Sequence, residues 1–298
     1  MSLLVCLMLP AMAGFVSPVW GKAPIPVFVS IVPQAYFLER IGGAHVDVAV
    51  LIGKGHSPHT YEPTPKETAS LARARIYFGI GVPAEKGLLR KIKKTHPNLL
   101  FVDTQKGIAY RTLEGNDHDH PAGHGPNRKI ADHKTPDPHI WMSPRFVKIQ
   151  ARNIADALSR FDPVHTREYA ANLHAFERDL DRMDARIARL LAPMKGQKIY
   201  VFHPAFGYFT DAYGLVQIPI EMEGKEPSAR QLAGLIDRAK REGVRVMFVQ
   251  PQYSPKSAEA IAKAIGGVVV PIDPLARDYL ANLERIAALM ERGGADKR

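Results

Sequence analysis

The stretch Asp162–Ala192, DPVHTREYAANLHAFERDLDRMDARIARLLA, decides how this chain is organised. Apolar side chains recur in it at helical spacing, at Leu173, Phe176, Leu180, Met183, Ile187 and Leu190, among Arg, Asp, Glu and Ala. Pro163 suits a first helical turn, and Pro193 with Gly196 stops the helix. About thirty residues at helical rise span roughly 45 Å, enough to connect two bodies. Such a connector restricts hinge motion more than flexible strand linkers would.

On both sides of this helix, short β-rich runs alternate with amphipathic stretches. Before it, strands are expected at Val27–Ile31, Val46–Leu51, Ile76–Phe78 and Leu99–Val102, with helices near Ala35–Ile41, Lys66–Ala74 and Glu85–Lys94. After it, strands are expected at Ile199–Phe202, Val216–Ile220, Val246–Val249 and Val268–Ile272, with helices near Ala205–Tyr213, Ala229–Glu242 and Ser257–Ile265. Alternation of this kind predicts mostly parallel sheets flanked by helices, so two series predict two α/β lobes. The expected divisions are a lobe over 24–161, the linker helix over 162–193, and a second lobe over 194–298.

Ahead of the first lobe, Leu3–Val19 is an almost uncharged apolar run broken by Pro10, and Gly21-Lys22-Ala23 supplies a small-x-small pattern. Residues 1–23 read as a secretory signal peptide, because Pro10, Gly14, Ser17 and Pro18 make a poor spanning helix. Cleavage would remove Cys6, the only cysteine, so any metal must be held by nitrogen and oxygen. The formal charge of +10 becomes +9 without Lys22. Lys and Arg are scattered among acidic residues with no aromatic interleaving, the pattern of solvated helix faces and not of a nucleic-acid module.

Chemistry concentrates at four residues that each abut a proline: His59 after Pro58, and His139, between Pro138 and Ile140; then His203 before Pro204, and Asp273 before Pro274. Proline fixes the local backbone, so the neighbouring side chain can be aimed at a point. Three imidazoles and a carboxylate are a sufficient shell for a tetrahedral metal, zinc above all. Their separations of 80, 64 and 70 residues mean that only the fold can unite them. Each is expected at the C-terminal end of a strand or the start of the next loop, two per lobe, which places the metal in the cleft between lobes. Singly, His203 between Phe202 and Phe206 also suits a core imidazole, and Asp273 before proline also suits a turn cap. His56 reads as an exposed loop histidine or an outer ligand. Between Gly115 and Pro136 the chain turns polar, with His118, His120, His124 and His133 in what is expected to be a flexible loop able to collect metal weakly.

The motifs Pro-His-Thr-Tyr-Glu-Pro-Thr-Pro around His59, Asp-Pro-His-Ile-Trp-Met-Ser-Pro around His139, Phe-His-Pro-Ala-Phe-Gly-Tyr-Phe around His203, and Asp273-Pro274-Leu275 resemble the zinc and manganese solute-binding proteins of ABC transporters. Glu226-Pro227-Ser228, Gln250-Pro251-Gln252-Tyr253-Ser254-Pro255 and Asp278-Tyr279-Leu280 extend the likeness along the chain. The resemblance implies two α/β lobes on a single long helix, a metal site between them held by His59, His139, His203 and Asp273, and a histidine-rich loop at 115–136. It also implies a periplasmic monomer that delivers metal to a membrane permease and its ATPase without covalent chemistry. Manganese members tend to carry a carboxylate where this chain has His203, so the cargo expected here is Zn²⁺, with Mn²⁺ the alternative. Gln250 stands where many relatives have Glu, a difference expected to act around the site and not on the metal. Metal affinity should weaken below about pH 6.5 as protons compete for the imidazoles. A zinc hydrolase is the competing reading, with Glu62 as base, but the chain has no His-Glu-x-x-His helix and no second carboxylate cluster.

Overall fold

The computed structural model describes residues 23–113, 136–221 and 225–295. The expected signal segment up to residue 22, and His118, His120, His124 and His133, lie outside the described residues.

Seven residues of nearly uninterrupted apolar character, β1 (Ile25–Ile31), form a central strand buried on both faces. Burial of that kind suits a parallel sheet covered by helices. β1 pairs in parallel with β2 (Val46–Ile52) on one side and β3 (Ile76–Gly79) on the other, and β4 (Leu100–Asp103) follows β3, giving the order β2-β1-β3-β4. The crossovers are α1 (Val32–Gly42), α2 (Pro65–Leu71) and α3 (Pro83–Thr95). α2 starts where its sequence directs: Thr64 accepts the Glu67 N–H, Glu67 returns to the Thr64 N–H, and Pro65 occupies the first turn.

After α4 (Pro144–Phe161) comes the long helix α5 (Thr166–Leu191), 26 residues entered through a 3₁₀ turn at Pro163–His165 and left through another at Ala192–Met194. Its buried stripe is Tyr169, Phe176, Leu180, Met183, Ile187 and Leu191. The expected Leu190 is 38% exposed, because four residues beyond Ile187 the stripe falls on Leu191.

The second sheet repeats the first, in the order β6-β5-β7-β8: β5 (Lys198–Val201), β6 (Val216–Pro219), β7 (Val246–Val249) and β8 (Val268–Pro271), all parallel. Its crossovers are α6 (Gly207–Tyr213), α7 (Ala229–Arg241) and α8 (Lys256–Ile265), and α9 (Tyr279–Ala295) follows β8. Ser228 and Gln231 form a capping box at the start of α7, and the left-handed Gly214 and Gly266 end α6 and α8. Helices α4 and α9 are not among the elements expected from sequence, although Val147, Ala151, Ile154 and Leu158 carry a helical stripe in α4.

One apolar cluster runs from β1 and α1 through α4 and α5 to α9 and the α6 face of the second sheet, so the lobes share a core across the linker helix. A smaller cluster fills the space between the other face of the second sheet and α7 and α8. Polar ties reinforce the joint: Trp141 Nε1 donates to the Pro274 carbonyl at 2.9 Å, and Tyr279 Oη donates to the Trp141 carbonyl at 2.7 Å. No helix among the described residues is long and apolar enough to cross a membrane.

Candidate metal centre

His59, His139 and His203 converge on one point. Their Nε2 atoms are 3.2 Å apart for His59 and His139, 3.1 Å for His203 and His59, and 3.1 Å for His203 and His139. Nitrogens held about 2.0–2.1 Å from a tetrahedral ion lie about 3.3 Å from one another, so the triangle already has the size of a zinc face.

Each imidazole reaches this point differently. His59 lies in the loop between β2 and α2, its N–H donating to Ser57 Oγ at 3.3 Å. His203 lies two residues past the end of β5, the strand on either side of which the chain order reverses, where open α/β sheets bind ligands. Gln250 clasps the His203 backbone: its Oε1 accepts the His203 N–H at 3.1 Å and its Nε2 donates to the His203 carbonyl at 2.7 Å. Both ends of the Gln250 amide are thus engaged by the His203 backbone.

His139 departs from the expectation that every ligand follows a strand. It precedes a 3₁₀ turn at Ile140–Met142 that leads into α4, and it is positioned by its neighbours. Asp137 Oδ1 accepts the His139 N–H at 3.0 Å and pairs with Nδ1 at 2.6 Å, while Asp137 Oδ2 meets Arg111 Nη1 at 3.1 Å. Tyr208, from α6 of the second lobe, donates to the Asp137 carbonyl at 2.8 Å, so the loop carrying His139 is fastened to the opposite lobe. Gly207 makes this approach possible, because a Cβ there would run into the Arg111 guanidinium.

Two buried carboxylates outside the expected ligand set complete the site. Asp137 holds His139 Nδ1, and Glu221 Oε1 holds His203 Nδ1 at 2.7 Å. Metal-ligating histidines usually present the second nitrogen to such a partner, which fixes the tautomer and turns the Nε2 lone pair to the metal. Asp137 was legible as part of Asp-Pro-His. Glu221, one lone carboxylate after an apolar strand, carries no periodic signal. Tyr253 stacks on the His203 ring at 4.8 Å and Trp141 meets His139 edge-on at 5.2 Å, so aromatic walls flank the imidazoles.

Asp273, the expected fourth ligand, is placed differently. Its carboxylate is not among the groups whose ligand atoms gather within 4.8 Å of one another around the three imidazoles. Oδ1 accepts the Leu275 N–H at 2.9 Å and Gln252 Nε2 at 3.0 Å, which is the turn-capping role open to an acidic residue before proline. His56 packs edge-on against Tyr61 at 5.4 Å and joins none of the imidazoles.

Burial, and then the neighbouring imidazoles, lower the His59 pKa to about 2; burial also lowers that of His203, against the opposing pull of Glu221. Burial works against the Asp137 carboxylate, yet His139 and Arg111 hold its pKa below the usual value. Lowered pKa values keep His59 and His203 neutral, and with the His139 nitrogen beside theirs the cluster is suited to a cation. Proton competition at His59 and His203 therefore sets in at lower pH than the expected 6.5.

The same shifts set the stability of the metal-free protein. The unfolded imidazole takes up a proton near pH 6.5, while His59 stays neutral in the fold down to about 2, so this stability is full above pH 6.5 and lost as pH falls. Urea unfolding of metal-free protein is expected to show a decline of up to about 1.4 kcal/mol per pH unit for each such histidine between pH 6 and 4, and a shallower one for His59→Asn. Equal slopes for the two proteins would contradict this.

Glu221→Gln removes the charge behind His203 while keeping its shape. Zinc affinity is expected to fall about 10- to 100-fold by calorimetry, with unfolding in urea little changed. An unchanged affinity would show that Glu221 does not orient the ligand.

Two parallel α/β lobes on one long helix, with three imidazoles meeting between them, define a metal-capturing solute-binding protein. The chain belongs to the family described as zinc-uptake complex component A, periplasmic, which it matches over residues 27–293. It is 31% identical over 250 residues to the high-affinity zinc uptake system protein ZnuA of Bacillus subtilis, covering 80% of this chain and 75% of that one. Its fold is similar to a crystal structure of ZnuA, with a TM-score of 0.83 and 41% identity over 91% of this chain and 99% of the other. A zinc-bound ZnuA deletion mutant matches with a TM-score of 0.80 at 41% identity, over 90% of this chain and 97% of that one. The family supplies the solute-binding component of zinc uptake systems, and zinc is the cargo this chain binds.

Proposed function

We propose that His59, His139 and His203 ligate Zn²⁺ in the cleft and that the protein hands the ion to a membrane permease driven by an ATPase. The observation that supports this best is the triangle of Nε2 atoms, drawn from both lobes, at the spacing of a zinc face. Water or a carboxylate completes the tetrahedron, and Asp273 Oδ1 is engaged by the Leu275 N–H and Gln252. Residues 1–23 act as a cleaved signal that sends the chain to the periplasm, and 24–161, 162–193 and 194–298 act as lobe, linker and lobe. Release follows when the transporter disturbs the lobe geometry that keeps the three nitrogens together.

Capture accounts for the site better than hydrolysis does. A zinc hydrolase needs a general base beside the metal-bound water. Here Asp137 and Glu221 are committed to orienting imidazoles, and Glu62, the candidate base, is exposed. Nitrogen donors also favour zinc over manganese, which prefers oxygen. Competition calorimetry is expected to show one tight zinc equivalent that about a hundredfold excess of Mn²⁺ does not displace. Displacement by that excess would refute the zinc assignment.

A further inference from the structure

We propose that His45, His165 and Glu168 form a second site for a divalent transition metal, where the turn after α1 meets the start of α5. It lies far from the cleft. His45 directly precedes β2 and the loop bearing His59 leaves the other end of that strand, about 20 Å away at the rise of a parallel strand. The inference does not depend on how the cleft is read.

The three side chains each offer a ligand atom, and these atoms lie within 4.8 Å of one another. His45 Nε2 is 2.7 Å from Glu168 Oε2, and the His45 and His165 rings stack at 3.7 Å with 20° between their planes. An ion pair and a ring stack alone would be ordinary packing, and Glu168 would be welcome in the first turn of α5 for its charge. Behind His165, however, stands Asp162, its side chain only 3% exposed, with Oδ2 at 2.6 Å from His165 Nδ1. Tyr169 Oη donates to the same oxygen at 2.9 Å. This buried carboxylate fixes the tautomer of His165 and leaves Nε2 as the lone-pair atom, the arrangement that Asp137 and Glu221 make in the cleft.

The donor set determines the ligand class. Two imidazoles and one carboxylate, partly exposed at 24%, 22% and 62%, suit borderline ions such as Zn²⁺, Ni²⁺ and Cu²⁺, with water filling the remaining positions. Copper should bind more tightly than zinc. Ligation opens the 2.7 Å His45–Glu168 contact towards about 3.3 Å and tilts the stacked rings apart, movements that exposed side chains can make. With fewer imidazoles and more water, the site holds zinc less tightly than the cleft and exchanges it with solvent. A bound ion would staple the Gly43–His45 turn to α5.

The test is zinc uptake by the full mature chain, measured by equilibrium dialysis, for the wild type, Glu168→Gln and His45→Asn. The wild type is expected to take up one weakly held zinc more than either variant, while all three keep the tight equivalent. The histidines of 115–136 contribute equally to each protein, so the difference isolates this site. Equal uptake by all three would overturn the proposal. Independently, zinc-soaked wild-type crystals should show an anomalous peak between His45, His165 and Glu168, and an absent peak would also overturn it.

Discussion

Replacing His139 with Ala is expected to weaken zinc binding in the cleft more than about 100-fold. Losing an orienting carboxylate behind a ligand costs 10- to 100-fold, and losing the ligand itself must cost more. The change does more than remove a donor. His139 is 2% exposed and fills the space beside Trp141, and Asp137 loses the imidazole that accounts for much of its lowered pKa. The two remaining nitrogens, from His59 and His203, still face each other at 3.1 Å, so residual weak binding through two imidazoles should persist. Calorimetric titration of the purified variant measures the outcome, and affinity within tenfold of wild type would remove His139 from the site.

Trp141→Ala carries the largest expected cost to stability, about 3–5 kcal/mol in urea unfolding of the metal-free protein. The indole is 1% exposed in the core shared by the lobes, and the variant also orphans the Pro274 carbonyl that Nε1 serves. The Trp141 carbonyl receives Tyr279 Oη from the start of α9, so the residue joins the His139 turn to both the β8–α9 connection and the linker helix core. Zinc affinity should fall as well, because the edge-on ring that confines His139 is gone. A loss below about 1 kcal/mol would mean that the lobes are joined elsewhere. Trp141 is the only tryptophan in 23–298, so its fluorescence follows both unfolding and the arrival of an ion near His139.

Most of the architecture was legible because it depends on local periodicity. All eight strands fall within a few residues of the runs of Val, Ile and Phe that predict them, and the linker helix declares itself through its stripe and its flanking prolines. α4 is harder to see because it starts directly behind the loop-like Asp-Pro-His-Ile-Trp motif, although Pro144 and the Val147-to-Leu158 spacing mark a helix. The three histidines could be named from their proline-flanked turns. Their convergence could not be derived from spacing, since it is set by contacts across lobes such as Tyr208 with Asp137. For Asp273 the motif pointed to a ligand, whereas the side chain caps its own turn through Leu275 and meets Gln252, a choice that backbone hydrogen bonding makes and sequence pattern does not display. Glu221 and the His45–His165–Glu168 group are likewise products of tertiary contact.

Zinc-edge X-ray absorption of the mature protein loaded with one equivalent of Zn²⁺ tests the central claim most directly. Three imidazole nitrogens at about 2.0–2.1 Å, reduced to two in His203→Ala, are the predicted result. A shell of oxygens with one imidazole or none would contradict the account.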